Sequence, residues 1–351
     1  MRPRRPLVFG IGMGVVAIAG FLFAIHLLSS ATSALAPQLR ALLSRVVDGN
    51  LAALGSGWVG AYLLLNGSVV AAVSLTLFDA GLVTTSQLLL LVAGSRLGAA
   101  GVVLVVGALD HVRNPAATAR ESMRLGTLSF LVTYSVYLPA TLVSYLLVPW
   151  VETHLDFSLG VGIGSLGPGS MFEPLSALLL DLVGPGLAFL LALAVLFGSL
   201  SLLDRLFRTL DTAMLRNRYL VRLQRPAVSF LAGVLVTALT TSVAFSLGIV
   251  VPLYNRRLIT RTEILPFILG ASLGTLSDTL LVAVVLGVPG ALLTVVLLLA
   301  VGTVFSLGVL MMYGAYAEGV GRVQDRILAD STVFTAFVVS LVVVPLVLVV
   351  L

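Results

Sequence analysis

Cysteine and lysine are both absent from this 351-residue chain. No disulfide can form, and no thiolate can hold a metal. Only three histidines occur, and they are scattered, which argues against a metal enzyme, and no cofactor is expected. Charge is scarce as well. Charged residues make up 10% of the chain against 59% hydrophobic, and mean hydropathy is +1.14. A soluble domain of this length needs a charged surface that this chain does not have. All 20 basic residues are arginine, which reads as the codon usage of a GC-rich genome. The net charge of +5 does not point to nucleic acid, because the arginines sit between apolar runs, as in cytoplasmic loops of membrane proteins. The expected surroundings are a lipid bilayer.

Apolar segments of about 20 residues read as membrane-spanning helices. They fall near 7–29, 86–109, 126–150, 173–200, 263–286, 290–313 and 331–351. Two further apolar stretches, 51–78 and 227–254, carry Gly, Ser, Thr or Asn near their middles and read as re-entrant hairpins. The basic start, Met1 to Arg5, is followed by an apolar run of roughly 23 residues, longer than the 7–15 of a signal peptide's core. A retained first helix with a cytoplasmic N-terminus is expected.

The chain repeats itself at an offset of 176 positions. Gly94-Ser95-Arg96-Leu97-Gly98 is followed at that offset by Gly270-Ala271-Ser272-Leu273-Gly274, and Leu39-Arg40, Gly57 and Leu63 by Leu215-Arg216, Gly233 and Leu239. Loop charge differs between the copies. Asn255-Arg256-Arg257 matches Asp79-Ala80-Gly81, and the Arg-rich 204–225 matches the weakly charged 32–50. Similar sequences with opposite loop charge imply opposite orientation, an inverted-topology repeat of the kind found in secondary transporters. The division expected is 1–125 for the first repeat, 126–175 for a connecting span and external loop, 176–313 for the second repeat, and 314–351 for a C-terminal loop and a final transmembrane helix. Basic segments 110–124, 204–225 and 255–262 go to the cytoplasm. Segment 151–172, with Glu152 and Asp156 and no Arg, goes outside.

Smaller features add detail. Leu39, Leu42, Leu43 and Val46 share one face of 37–49, which reads as an interfacial helix or as an extension of the first span. The segment 204–224 reads the same way. Gly160 to Gly169 lacks the strand and helix context of a nucleotide-binding loop and reads as a flexible external loop.

A membrane protein that handles an ion must replace the ion's water shell. Interrupted helices do so with exposed N–H and C=O groups, glycine permits the interruption, and hydroxyls add ligands. Four segments meet that description. Asn66-Gly67-Ser68 and Thr240-Thr241-Ser242 lie midway along the two hairpins. Gly94-Ser95-Arg96-Leu97-Gly98 and Gly270 to Asp278, with Ser272, Gly274, Thr275 and Ser277, lie in the spans after the hairpins. Small residues in membrane helices also serve plain packing. Arg96 and Asp278 stand out, because ionisable groups deep in a membrane mark functional sites by default. The pseudo-symmetry allows them to meet. Four readings stay open: an ion pair that joins the halves, an oxyanion held by Arg96, Na⁺ or a proton carried by Asp278, or side chains that reach water from helix ends.

At these motifs the chain resembles the type II sodium–phosphate cotransporter family of bacteria and archaea. The resemblance runs through Gly20-Phe21-Leu22-Phe23, Leu39-Arg40-Ala41-Leu42-Leu43, Gly94 to Gly98, Thr237 to Ser242, and Ile268 to Thr275. Members carry Gln-Ser-Ser-Ser at each hairpin and Gly-Ala-Asn-Ile-Gly-Thr in each helix after it. Here the second glycine motif is kept with Ser272 in the Asn place, and Arg96 stands at the Asn place of the first. The hairpin motifs fall on Leu65-Asn66-Gly67-Ser68 and Thr241-Ser242-Val243-Ala244, without glutamine.

The fold expected is an all-α polytopic membrane protein with two inverted repeats, re-entrant hairpins and broken transmembrane helices, and not an enzyme. It is placed in the cell membrane as a multi-pass protein. The resemblance implies sodium-coupled symport of inorganic phosphate by alternating access, with Na⁺ at Ser272, Thr275 and Asp278. The alternatives are the same fold with another anion and proton coupling, or a non-transporting scaffold.

Overall fold

The structure is a computed structural model and describes residues 7–113, 123–154, 171–209, 225–241, 246 and 260–351. The glycine-rich stretch 160–169, most of 204–224, Ser242, the Asn255-Arg256-Arg257 segment and nearly all of 242–254, where the return arm of a second hairpin is expected, lie outside the described residues.

The described residues form helices and no strand. In chain order they are α1 (Leu7–Ala34), α2 (Ala36–Val46), α3 (Asn50–Leu64), α4 (Gly67–Asp79), α5 (Thr85–Arg113), α6 (Arg124–His154), α7 (Glu173–Thr209), α8 (Pro226–Thr240), α9 (Arg261–Gly274), α10 (Leu276–Leu286), α11 (Pro289–Met311), α12 (Tyr313–Ala329) and α13 (Ser331–Val350). Seven spans, with α9 and α10 counted as one from Arg261 to Leu286, are long and apolar enough to cross a membrane. They coincide with the seven expected from hydropathy. Apolar side chains stay exposed along them, among them Leu182, Val304, Val339 and Val342, which suits contact with lipid.

Why each helix starts and stops is readable locally. A turn at Leu35 sets α2 off from α1, with Pro37 in its first turn. Asn66 caps α4 by accepting from Ser68 N at 2.9 Å and Val69 N at 3.3 Å. Thr260 and Glu263 form a capping box on α9. In α7 the backbone leaves the helix at Gly184 (φ 78°, ψ 162°), just before Pro185. That φ lies in the region only glycine adopts freely.

Two close helix pairs, α3 against α5 and α8 against α9, organise the interior. A Cβ on Gly57 would lie 2.1 Å from Leu91 O, and one on Gly94 would lie 2.1 Å from Leu54 O. A Cβ on Gly233 would lie 2.2 Å from Phe267 O, and one on Gly270 would lie 2.0 Å from Phe230 O. Each contact of the second pair is the first displaced by the same 176 positions. Backbones approach this closely only where side chains are missing.

These contacts correct one expectation. Helix α5 runs unbroken through Gly94 and Gly98. Its glycines are consumed by the approach of α3 and do not interrupt the helix. In the second copy the interruption does exist, but it sits at Thr275, whose backbone stays near helical (φ −66°, ψ −21°). A second correction concerns the segment after residue 313, which is helix α12 and not a loop. Its polar face holds it to the bundle. Arg261 binds Asp325 through two bonds of 2.6 and 3.0 Å, Gln324 Nε2 donates to Arg124 O at 2.6 Å, and the Tyr316 and Ser135 hydroxyls are 2.7 Å apart.

Candidate functional site

Helical geometry decides where Arg96 points. Gly94 and Gly98 share the face of α5 that meets α3. Arg96, two residues on from Gly94, lies on roughly the opposite face. There it meets α10. Arg96 Nη2 lies 3.0 Å from Asp278 Oδ1, with both side chains 3% exposed. The same Nη2 donates to Thr279 Oγ1, and Thr279 Oγ1 donates to Asp278 Oδ1 at 2.9 Å. The pair joins residues 182 positions apart.

The pair is incomplete as an ion pair. Arg96 Nε and Asp278 Oδ2 are both buried and have no hydrogen-bond partner. A bidentate arginine–carboxylate contact would use two nitrogens and two oxygens; here one of each is used between the partners. In a low-dielectric interior an unused donor or acceptor is costly, and more so on a charged group. The arrangement leaves one donor on the arginine and one acceptor on the carboxylate unused.

Helix α6 closes the site from the other side. Tyr137, 2% exposed, donates to Ser272 O at 2.8 Å and lies within electrostatic range of Arg96 and Asp278. Thr133 Oγ1 and Ser272 Oγ are 2.9 Å apart. Tyr134 donates to Leu97 O at 3.1 Å. Three residues of α6 thus hold the backbone or side chains of both glycine motifs.

The remaining candidates sort into two groups. The start of α4 and the end of α8 both reach the neighbours of the charged pair. Gly67 packs against α5 so closely that a Cβ would lie 2.6 Å from Ser95 O, and Ser277 Oγ lies 3.2 Å from Ala238 O near the end of α8. Asn66 and half-buried Ser68 sit at the first turn. The oxygen of Asn66 is engaged in capping. Gly94, Gly98, Gly270 and Gly274 serve helix packing. Several hydroxyls donate to nearby carbonyls: Ser95 to Val92 O (2.7 Å), Ser272 to Ile268 O (2.9 Å), Thr275 to Ser272 O (2.6 Å), Ser277 to Gly274 O (2.7 Å) and Thr241 to Thr240 O (2.8 Å). Each keeps lone pairs for a cation. Ser242 lies outside the described residues. Three residues of the site, Thr279, Thr133 and Tyr137, are not among the sequence candidates. Thr279 is adjacent to Asp278, but uncharged residues within an apolar span give no signal of their own.

Among the described residues no three His, Cys, Asp or Glu gather where a metal could bind. No family model, curated protein or solved structure matches this chain.

Proposed function

We propose that this chain is a secondary active transporter that carries a small inorganic anion together with a cation through a site at Arg96 and Asp278, and that the pair carried is phosphate and Na⁺. The observation that carries the reading is the single bond between the two charged side chains, which leaves Arg96 Nε and Asp278 Oδ2 unpartnered. An arginine donor suits an oxyanion, and a carboxylate oxygen suits a hard cation. The pair is neutral as a unit. An anion entering alone would therefore bring an uncompensated charge into an apolar interior, which is strongly unfavourable. Entry with a cation removes that penalty, so binding of the two is coupled.

The architecture belongs to the same proposal. Residues 1–125 and 176–313 act as inverted repeats, with α3 and α4 as one re-entrant hairpin and α8 as the first arm of the other. The recurrent glycine contacts support it, as do the start of α4 and the end of α8 beside the neighbours of the charged pair. The resemblance to sodium–phosphate cotransporters selects phosphate as the first anion to test. The chain is placed in the cell membrane with its N-terminus in the cytoplasm, an orientation that its loop charges favour.

The deciding experiment is uptake of labelled phosphate into proteoliposomes with and without an inward Na⁺ gradient. Uptake that needs Na⁺ and is lost in Arg96→Ala is expected. Absence of uptake under both Na⁺ and proton gradients overturns phosphate as the substrate. One observation favours a second reading, another anion with proton coupling. The hairpin glutamines are missing, and the Asn66 oxygen in their vicinity is already engaged.

A further inference from the structure

Helix α6 belongs to neither repeat, yet it carries a line of buried hydroxyls. Thr133, Tyr137, Thr141 and Ser144 recur at spacings of four, four and three, which puts them on one helical face. Their exposures are 6, 2, 5 and 0%. Thr133 and Tyr137 bind Ser272 beside the charged pair. Thr141 Oγ1 and Ser144 Oγ are buried without a partner.

That lack is informative. A serine or threonine in a helix always has a carbonyl within reach, four residues back. Ser74, Thr127, Thr294, Thr303 and Ser306 all use it. Thr141 and Ser144 do not. The next residue along α6, Tyr145, meets Asn50 Nδ2 at 2.7 Å through an exposed contact. The line therefore runs from the exposed polar contact of Asn50 and Tyr145 to Tyr137 beside Asp278, whose Oδ2 is free. Its own side chains are neutral oxygens, and the cationic group at its inner end, Arg96, is paired with Asp278.

We infer that this face of α6 is the entry track for the coupling cation, a small alkali ion of the Na⁺ class, with Thr141 and Ser144 as a relay site before Asp278. Neutral hydroxyl oxygens replace part of the ion's water shell without holding it tightly. The inference rests on the reading of the chain as a cation-coupled carrier, but not on phosphate as its anion.

The absence of cysteine makes a direct test simple. Thr141→Cys, Ser144→Cys and, as a control off the track, Ser306→Cys are made in the full chain, reconstituted, and treated with a small cationic thiol reagent. Na⁺ is varied against choline at constant ionic strength. Modification at 141 and 144 that Na⁺ slows at least about fivefold, with no modification at 306, is expected. No modification at either track position, or rates indifferent to Na⁺, overturns the track. Thr141→Val and Ser144→Ala, which add no bulk, give a second readout: a rise of about tenfold in the KM for Na⁺ with the KM for the anion at saturating Na⁺ unchanged. An unchanged KM for Na⁺ in both overturns the relay. Protection by Na⁺ in a protein that takes up no phosphate supports the track and removes only the substrate assignment.

Discussion

Leu65 and Thr241 are the two non-glycine residues with positive φ among the described residues, at 51° and 55°, and they stand 176 positions apart, the offset of the glycine contacts. Each is the left-handed C-cap of its helix, α3 or α8. Left-handed backbone is strained by about 1 kcal/mol or more in a residue with a Cβ. Both helices end in a left-handed residue, although the cap N–H reaches three residues back at Leu65 and four at Thr241.

Leu65→Gly is therefore expected to raise stability by about 1 kcal/mol, and Thr241→Gly to do so less, because the Thr241 hydroxyl bond to Thr240 O is lost with it. Thermal unfolding in detergent checks both. A fall in melting temperature for Leu65→Gly would contradict the strain at this cap.

Gly94→Ala and Gly270→Ala are expected to destabilise by about 1–3 kcal/mol or more, since the new methyl would meet backbone oxygen at 2.1 or 2.0 Å. Gly12→Ala has nothing within 4 Å of the added carbon and lies inside α1. It is expected to be neutral or to stabilise by about 0.5–1 kcal/mol. The comparison of melting temperatures fails if all three variants behave alike.

Removal of one partner of the buried pair leaves the other charge uncompensated. Arg96→Ala and Asp278→Ala are each expected to lose about 3–5 kcal/mol, and the double variant less than the worse single one. Additive losses in the double-variant cycle would show that the two side chains do not depend on each other. Recovery of folding without recovery of uptake in the double variant is expected if Arg96 also contacts the anion.

Asp325 lies on α12, outside the spans. Hydrogen bonds from Arg261 hold its carboxyl below the ordinary value of 3.8, against a smaller opposing effect of burial. A depressed folded-state value means that the pair's contribution is complete above the ordinary value and is lost as pH falls through the depressed one. The side chain is 61% exposed, so the contribution is at most about 1 kcal/mol. Asp325→Asn is expected to be slightly less stable than the parent at pH 7, and the difference is expected to shrink as pH falls below 3.8. A difference that grows on acidification would reverse the sign.

Orientation is checked with single cysteines at Thr153, near the end of α6, and at Arg225, before α8. The first is expected to react with an impermeant reagent from outside the cell and the second only after the membrane is opened. The reverse pattern would invert the assigned topology.

The spans are legible in the sequence because a bilayer imposes a length and a composition that any apolar run of sufficient length displays. The roles of Gly94 and Gly98 are not. Glycine permits both a helix break and a close approach, and only the position of Leu54 and Trp58 across the seam selects the second. Helix α12 is hidden by Gly314, Gly319 and Gly321, which read as loop residues, and by the remoteness of its partners Arg261 and Arg124. Arg96 and Asp278 announce themselves as charges in apolar runs, but their contact depends on packing over 182 positions. Tyr137 and Thr133 carry no charge and break no periodicity, so nothing in the sequence sets them apart.

The glycine seams have a mechanical consequence. Where peptide oxygen meets α-carbon directly, there is no side chain to rotate, compress or exchange rotamers. Helices α3 with α5, and α8 with α9, are therefore rigid blocks. A change of shape must shear where helices meet through side chains, as where Arg96 of α5 meets Asp278 and Thr279 of α10. Both bonds of that contact leave from the one nitrogen Nη2, so α5 and α10 can turn about it in a way that a contact spread over two nitrogens would resist.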